Sequence, residues 1–536
     1  MPARLFRVSP LWLQPSVRFS SLSCSLNSAH SPDPSRETLF VNRRCYSSYK
    51  IAIVGSGPAG CYSAKYLKSS FEKQEHRAQI DVIERLPTPF GLVRYGVAPD
   101  HSEVKNVQND FAALFEGTDE SVESVNVRFL GNVEVGWDVT VTELRSMYDI
   151  VLLAYGCESD RKLVLPGSHL PQILSAREFV AWYNGHPDFV HVGEQVSKAL
   201  QVTAADTVES VRNAHVVVIG HGNVALDCAR ILAKGCQNLH DTDIASHTFP
   251  VIGGGISHIS VIGRRGPIQG AFTIKEIREL VRLQKEGYGT SFHVSPQELK
   301  LGMNEASIQE MEGLAGRPKQ RICDLLLKAA ASESQTSECE KRVDLRFLLK
   351  PLRFETKDDD PSRLSAVICE KTALRGEPGC QKAIGTGEYE SLYADLVLVS
   401  IGYKGTALPD VEPFFDEEMG ILRNRNGKVD QSNDFECGLY VAGWLKRGPS
   451  GIIGTNIPDA KDTVASIMRD LLDTKPRVQR AGDIDSILAE RKIQVVGWED
   501  YKRLDDYEQT HKRSDNQPRE KVVSIKQQLE AALKSG

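Results

Sequence analysis

Two glycine-rich turns, each set behind an apolar run, hold the residue types best suited to chemistry. The first is Ile51-Ala52-Ile53-Val54-Gly55-Ser56-Gly57-Pro58-Ala59-Gly60, and the second is Val216-Val217-Val218-Ile219-Gly220-His221-Gly222-Asn223-Val224-Ala225. Glycines at this spacing permit a tight turn and a close approach of backbone to a pyrophosphate, which then meets the unpaired N–H groups of the following helix. Ala225 at the third position is an accepted variant of the pattern. The residues that end the next apolar run differ between the two. Asp81-Val82-Ile83-Glu84 places an acid where a free ribose diol donates hydrogen bonds, whereas Val261-Ile262-Gly263-Arg264-Arg265 places an arginine pair suited to a 2′-phosphate. Glu84 follows Gly60 at about the usual ~20-residue distance. The stretch from Ala225 to Arg264 is much longer and implies an insertion near residues 235–257, where Gly253-Gly254-Gly255 marks a break. One dinucleotide with a bare ribose and one with a 2′-phosphate, FAD and NADP, are the economical pair of ligands.

Such a pair carries two-electron chemistry inward. NADPH delivers a hydride, and a flavin accepts both electrons together and can release them singly. What the sequence lacks sets the outward path. Cys61 follows Gly60 without a second cysteine nearby, and the eleven cysteines are scattered singly, with no C-x-x-C pair and no iron–sulfur set. The next acceptor is therefore outside the chain. Three polar residues near the turns are candidates for proton handling or nicotinamide orientation: His101, Asp227 and Glu276. A histidine titrating near neutrality can relay a proton, but His101 in Pro99-Asp100-His101 also suits a loop hydrogen bond. Asp227 and Glu276 equally suit helix-surface acids. Trp444, in a glycine-rich setting, is expected to shield or stack on the flavin, and Cys61 to be a small packing residue.

The elements that must position these groups form an α/β fold with two Rossmann-like dinucleotide-binding domains, the NADP domain inserted into the FAD domain. Residues 48–158 read as the first part of the FAD domain and close with Ile150-Val151-Leu152-Leu153-Ala154-Tyr155-Gly156. Residues 159–403 read as the NADP domain and close with Leu396-Val397-Leu398-Val399-Ser400-Ile401-Gly402-Tyr403. Residues 404–536 return to the FAD domain through Gly438-Leu439-Tyr440-Val441-Ala442-Gly443-Trp444. The polar stretches around 331–341 and 356–362 read as loops.

Composition agrees with a large globular enzyme. The chain has 536 residues, 25% of them charged, a net charge of −6 and no apolar run long enough to span a bilayer. The acidic balance argues against general nucleic-acid binding and leaves at most peripheral membrane association. Residues 1–47 are a different material: Arg4, Arg7, Arg18 and many serines stand in the first 32 residues without an Asp or Glu, and Arg44-Cys45-Tyr46-Ser47 resembles a matrix-processing site. That composition is expected of a mitochondrial transit peptide delivering the protein to the matrix.

Several longer segments make the chain resemble the mitochondrial NADPH:adrenodoxin (ferredoxin) oxidoreductases across nearly everything after residue 48. They are Pro89-Phe90-Gly91-Leu92-Val93-Arg94-Tyr95-Gly96-Val97-Ala98-Pro99-Asp100-His101, Gly131 to Gly136, Gly222 to Asp227, Gly263 to Gln269 with Ala271 to Glu276, and Gly443 to Pro449. The resemblance implies that Gly55, Gly57, Ala59, Gly60, Glu84, Leu92, Val135, Trp444, Gly451, Ile452 and Ile453 hold FAD. It assigns His221, Gly222, Asn223, Val224, Arg264, Arg265, Glu276 and Gly451 to NADPH. His221 stands where the family usually has glutamine. The implied partner is a small [2Fe–2S] ferredoxin docked on Arg317 and Arg321, within a basic cluster that includes Lys319; Lys446-Arg447, a second basic pair beside the flavin-site glycines, also reads as a cluster able to steer an acidic partner. Cytochrome P450 hydroxylation and iron–sulfur cluster assembly share this upstream step. A glutamate-synthase-like flavoprotein would need N-terminal cysteine motifs, and a non-catalytic scaffold would tolerate degraded turns; neither is seen.

Overall fold

The apolar runs before both glycine turns become central strands of two parallel sheets. The computed structural model describes residues 48–117, 124–201, 213–252, 255–313, 316–332, 339–429, 437–471, 476 and 480–534. The arginine- and serine-rich residues 1–47, and Gly253-Gly254, lie outside the described residues.

The first sheet begins with β1 (Tyr49–Val54), β2 (Ala78–Ile83), β3 (Val125–Leu130) and β4 (Ile150–Leu153). The chain then crosses through a short strand, β5 (Ser159–Asp160), into a second sheet. That sheet contains β6 (Ile173–Ser175), β7 (Ala214–Ile219), β8 (Ile256–Ile262), β9 (Thr290–Val294) and β10 (Lys341–Arg346). Three long antiparallel strands follow, β11 (Leu349–Lys357), β12 (Asp360–Arg375) and β13 (Lys382–Tyr393), before β14 (Leu396–Val399) rejoins the second sheet. A second crossing strand, β15 (Tyr403–Lys404), leads to the small hairpin β16 (Phe415–Asp416) and β17 (Ile421–Leu422). Then β18 (Asn424–Arg425), β19 (Lys428–Val429) and β20 (Gly438–Val441) complete the first sheet. The orders are β18-β19-β20-β4-β1-β2-β3 and β6-β14-β7-β8-β10-β9. The second sheet is parallel throughout, and the first is parallel from β20 to β3.

Both faces of each sheet are covered at the centre, and β1, β4, β7, β14 and β20 are therefore largely apolar on both faces rather than at alternate positions. In β1, Ile51 and Ile53 pack on one side with Leu67 and Phe71 of the helix Pro58–Lys73, while Ala52 and Val54 pack on the other with Val151 and Leu439. In β7, Val216 and Val218 face the core around Leu226 and Ile231, while Val217 and Ile219 face Phe354, Val367 and Cys369 of the antiparallel sheet.

That antiparallel sheet corrects one expectation. Residues 356–362 are not a loop: they belong to a hairpin whose strands pair from Leu349↔Lys371 to Lys357↔Asp360, turning at Asp358-Asp359. The turn and the strand ends beside it are exposed or half-buried, which is why the segment reads as polar. Around 331–341, residues 333–338 lie outside the described residues, and Lys341 already opens β10.

The insertion near 235–257 folds as short turns, and the C-terminal segment is tied to it. Arg513 donates to the carbonyls of His240 (3.0 Å) and Thr242 (2.9 Å). Asp243 receives Lys105 at 2.6 Å and Lys521 at 2.9 Å. Upstream, the helix Trp498–Thr510 packs Trp498 against Phe115 (ring centroids 5.0 Å apart) and buries Glu508 against Arg94 at 2.5 Å. Both partners of that pair are withdrawn from water, with side chains 2% and 0% exposed. Removing one partner of a buried ion pair leaves an uncompensated charge at a cost of about 3–5 kcal/mol. Glu508→Gln should therefore lower the thermal midpoint of the protein clearly, followed by far-ultraviolet circular dichroism. An unchanged midpoint would show the pair to be energetically neutral.

Candidate active site

The glycines of the first turn have separable reasons. Gly55 adopts φ +102°, and a Cβ there would strike the Ala154 carbonyl at 2.7 Å; at Gly60 it would lie 1.9 Å from the Gly55 carbonyl oxygen. Those two are required by the protein's own packing. Gly57 is not: a Cβ there meets nothing within 4 Å. Its backbone faces open space at the start of the helix Pro58–Lys73, whose first turn has no acidic residue and whose N-cap makes no side-chain hydrogen bond. Exposed, unopposed helix N–H groups beside a bare backbone are what a pyrophosphate needs. Glu84 lies at the mouth of the same turn. Its Oε2 accepts from Ser56 N (3.0 Å) and Ser56 Oγ (2.7 Å), and its Oε1 from Leu86 N (3.1 Å). A carboxylate has about four acceptor sites, so this one is oriented and still able to receive a ribose hydroxyl. Cys61 behind the turn is fully buried and donates to the Ser56 carbonyl at 3.1 Å; burial pushes its thiol far above the ordinary range, which fits packing rather than redox chemistry.

The second turn repeats the logic. Gly220 (φ +136°) would drive a Cβ to 2.0 Å from the Ser400 carbonyl oxygen, whereas a Cβ at Gly222 meets nothing within 4 Å. The helix Asn223–Lys234 again starts without an acid in its first turn or a side-chain cap. The His221 imidazole turns inward, edge-on to Phe347 (4.8 Å) and Phe272 (5.9 Å), and its carbonyl accepts from Ala271 N at 2.7 Å. Burial holds its pKa down at about 4, so the ring is neutral at physiological pH and leaves only its backbone to face a phosphate. Asn223 Oδ1 accepts from Thr273 N (2.8 Å), and the Thr273 hydroxyl donates to Glu276, which joins the two segments expected at NADPH. Arg264 and Arg265 are exposed beyond β8, and among the described residues neither guanidinium has an ion-pair partner. Their backbones are fixed: the Arg264 carbonyl accepts from Thr372 Oγ1 (2.8 Å) and that of Arg265 from Leu348 N (3.3 Å). Held backbones with free guanidinia fit a 2′-phosphate.

Between the turns lies a charge network that the sequence reading only partly anticipated. Arg230, fully buried on the second fingerprint helix, reaches Asp100 (2.8 and 3.0 Å), Asp227 (2.7 Å) and Glu279 (3.2 Å). Lys234 adds a contact to Asp100 at 2.9 Å, and His101 Nε2 meets Glu279 at 2.8 Å. Burial alone would raise the Asp100 carboxyl, but Arg230 and Lys234 hold it well below the usual carboxylate range. Burial raises Asp227 despite Arg230. Burial also opposes Glu279, yet His101 and Arg230 keep it lowered. His101 and Asp227 are thus brought into one network, whereas Glu276 stands beside Thr273. Asp100, Arg230 and Glu279 were missed; the signal was the Asp227-Arg230-Lys234 spacing along one helix face.

The remaining expected contacts frame the space in front of the first turn. Leu92 and Ile452 are exposed apolar side chains, 39% and 63% accessible, while Val135 is buried and offers only its backbone. Trp444 opens a short helix after β20 and is half-buried. Arg317 and Arg321 are exposed one turn apart at the start of the helix Arg317–Ser332, and Lys319 is paired with Glu310. The second basic pair is corrected. Lys446 pairs with Asp462 (2.7 Å) and Asp459 (3.3 Å), and Arg447 binds Thr455 Oγ1 (3.0 Å) and Asn456 Oδ1 (3.2 Å), so both serve internal structure rather than a docking surface.

The chain is similar to several known proteins. Residues 49–313 match the family model described as pyridine nucleotide-disulphide oxidoreductase. The chain is 39% identical to the mitochondrial NADPH:adrenodoxin oxidoreductase of Arabidopsis thaliana over 90% of its own length and 95% of that protein's. It is 38% identical to the human mitochondrial NADPH:adrenodoxin oxidoreductase, over 90% and 91% of the two chains. Among solved structures, Mycobacterium tuberculosis FprA in complex with NADPH superposes with a TM-score of 0.78 at 34% identity, covering 91% of this chain and all of that one.

The free arginine pair yields a direct test. Arg264→Ala with Arg265→Ala should raise KM for NADPH strongly and leave NADH nearly unaffected, since each charge-assisted contact to a 2′-phosphate contributes on the order of 1.5–3 kcal/mol. Equal losses with both nucleotides in steady-state assays would make the pair structural.

Proposed function

We propose roles for the residues of a chain that belongs to the NADPH:adrenodoxin oxidoreductase family. It is a flavoprotein NADPH:ferredoxin oxidoreductase whose cofactors are FAD and NADPH and whose partner is a ferredoxin. When bound, the flavin takes a hydride from NADPH and passes the electrons on singly to a [2Fe–2S] centre. The single observation that carries the assignment of sites is the contrast at the strand ends. Glu84 is an oriented acceptor with three of its roughly four acceptor sites filled, and Arg264 and Arg265 are fixed at the backbone and free at the guanidinium.

In this reading residues 48–158 and 404–536 form the FAD domain and 159–403 the NADP domain. Gly55, Gly57, Ala59 and Gly60 present the first helix N-terminus to the FAD pyrophosphate, and Glu84 holds the adenosine ribose. Leu92, Val135, Trp444, Gly451, Ile452 and Ile453 enclose the rest of that cofactor. Gly222, Asn223, Val224 and the His221 backbone receive the NADPH pyrophosphate. Glu276, fixed by Thr273, orients the nicotinamide half with Gly451. His101, Asp227, Arg230 and Glu279 form the polar floor where a proton can be held near the reacting rings; Asp227, raised by burial, and the His101–Glu279 pair are the groups able to exchange it. The mitochondrial relatives support a mitochondrial location, and the acid-free first 32 residues support delivery to the matrix.

Electrons leave elsewhere. Arg317 and Arg321 offer unpaired positive charge on an otherwise acidic protein and dock an acidic ferredoxin. Reversing both to Glu should slow ferredoxin-dependent cytochrome c reduction and spare NADPH oxidation by ferricyanide. The wild-type ferredoxin rate should fall at high salt, because exposed charges are screened over about 8 Å at 0.15 M. Full ferredoxin activity in the reversed enzyme would move the docking surface away from this helix.

A further inference from the structure

The chain passes between the two sheets twice, and the two passages are bound to each other. The first runs from Tyr155 to β5 and the second from Gly402 through β15 to Thr406. They pair as Tyr403↔Asp160 and Lys404↔Ser159, with Arg161 N donating to the Gly402 carbonyl (3.0 Å) and Tyr155 OH to the Thr406 carbonyl (2.9 Å). Gly402, at φ +108°, sets the turn that delivers Tyr403 to this ribbon. The Tyr403 ring then lies against the Trp444 indole, with centroids 5.2 Å apart and planes 25° from parallel.

This stack is not core filling. Both rings are half-buried, and neither is a member of the apolar clusters that hold the sheets together. Nor does the phenol explain it, since the Tyr403 hydroxyl has no hydrogen bond to a described residue. The indole leads onward: Trp444 Nε1 donates to the Ser450 carbonyl at 3.2 Å, and Arg447 donates to the same oxygen. Ser450 precedes Gly451 in the turn between Gly448 (φ +84°) and Gly451 (φ +82°), whose own backbone bond runs from Ser450 N to the Gly448 carbonyl at 2.9 Å.

We propose that Tyr403 is a positioning residue, which sets the Trp444 indole and, through Ser450, the Gly448–Gly451 turn against the flavin and nicotinamide. The proposal rests on the reading that Trp444 and Gly451–Ile453 line the FAD site. A flat ring is what the position requires, because the contact is face to face and the hydroxyl is unused. The two-stranded passage thereby acts on the site as well as linking the sheets: its register decides where the indole stands.

The test uses the FAD-loaded enzyme with NADPH and ferricyanide. Tyr403→Leu should keep full flavin content, raise KM for NADPH at least five-fold with a smaller change in kcat, and alter the visible circular dichroism of the bound flavin. Tyr403→Phe should restore all three to wild-type values, and Tyr403→His should fall between. A leucine variant indistinguishable from wild type overturns the proposal, as does a phenylalanine variant as impaired as leucine, which would assign the role to the hydroxyl. If the leucine variant does not fold, the Phe and His variants decide by the same readouts, and equal values for both overturn it. Trp444→Leu tests the premise separately. Should it leave flavin dichroism and NADPH KM untouched, the lining role of Trp444 fails; should it disturb them while Tyr403→Leu does not, only the role of Tyr403 fails.

Discussion

Arg230 is a guanidinium with no access to water, and much of the molecule is arranged to make that tolerable. A buried cation is stable only when its charge and its donors are met by nearby acceptors. Here they come from separate stretches of chain: Asp100 from the loop after Pro89–Val97, Asp227 from the same helix, and Glu279 from the helix Ile274–Arg282. The loop carrying Leu92, the helix that starts at the second glycine turn and the helix carrying Glu276 are thus held to one point. Two dinucleotides that must exchange a hydride need their rings placed to within a fraction of an ångström. A shared buried charge does this with little slack, because any displacement leaves an ion without its partner. The same arrangement gives His101 its orientation through Glu279, so the polar floor of the proposed site and the fastening of its walls are one structure.

A second fastening lies further from the chemistry. The C-terminal segment follows the first sheet through the helix Trp498–Thr510 and then passes across the insertion, where Asp243 receives both Lys105 and Lys521. Lys521 is fully buried, and burial, reinforced by Lys105 and Arg94, lowers its pKa to about 7 while Asp243 opposes the shift. The insertion that lengthens the second fingerprint beyond its usual span therefore has a structural use. It supplies the anion and carbonyls on which the end of the chain is anchored.

The parts legible in the sequence are those whose cause is local. β1, β4, β7, β14 and β20 announce themselves because both faces of a parallel sheet are buried, which leaves runs without a polar residue. The glycine turns are equally plain, since backbone approach to a phosphate restricts residue type at fixed spacing. What stayed hidden depends on partners distant in the chain. Asp100 and Arg230 are 130 residues apart, and Arg94 and Glu508 are 414 apart, so no window of sequence contains either pair. The β11–β12 hairpin was misread because the aspartates at its turn, together with the exposed faces of its strands, look like a solvated loop. Lys446 and Arg447 were misread as a basic surface because their acceptors, Asp459, Asp462 and Asn456, lie a turn or more onward on a helix whose packing the sequence does not disclose.

Charge is spent in two ways on this protein, and the difference separates electron entry from electron exit. In the proposed hydride-transfer site nearly every ionic group is paired: Arg230 with its acids, His101 with Glu279, Lys446 with Asp459 and Asp462. Pairing keeps the local field fixed while charge moves between nucleotide and flavin, which is the setting in which preorganised dipoles act most strongly. At Arg264 and Arg265, and again at Arg317 and Arg321, the guanidinia are left unpaired and exposed. Unpaired charge contributes nothing to the fold and costs it slightly through self-repulsion, so its retention makes sense where another molecule completes the pair. One such pair lies at the end of β8, the proposed NADPH site, and the other at the start of the helix Arg317–Ser332, the proposed docking site for an acidic protein. The chain as a whole carries a net charge of −6, so an acidic partner gains most from a local cluster of unpaired positive charge.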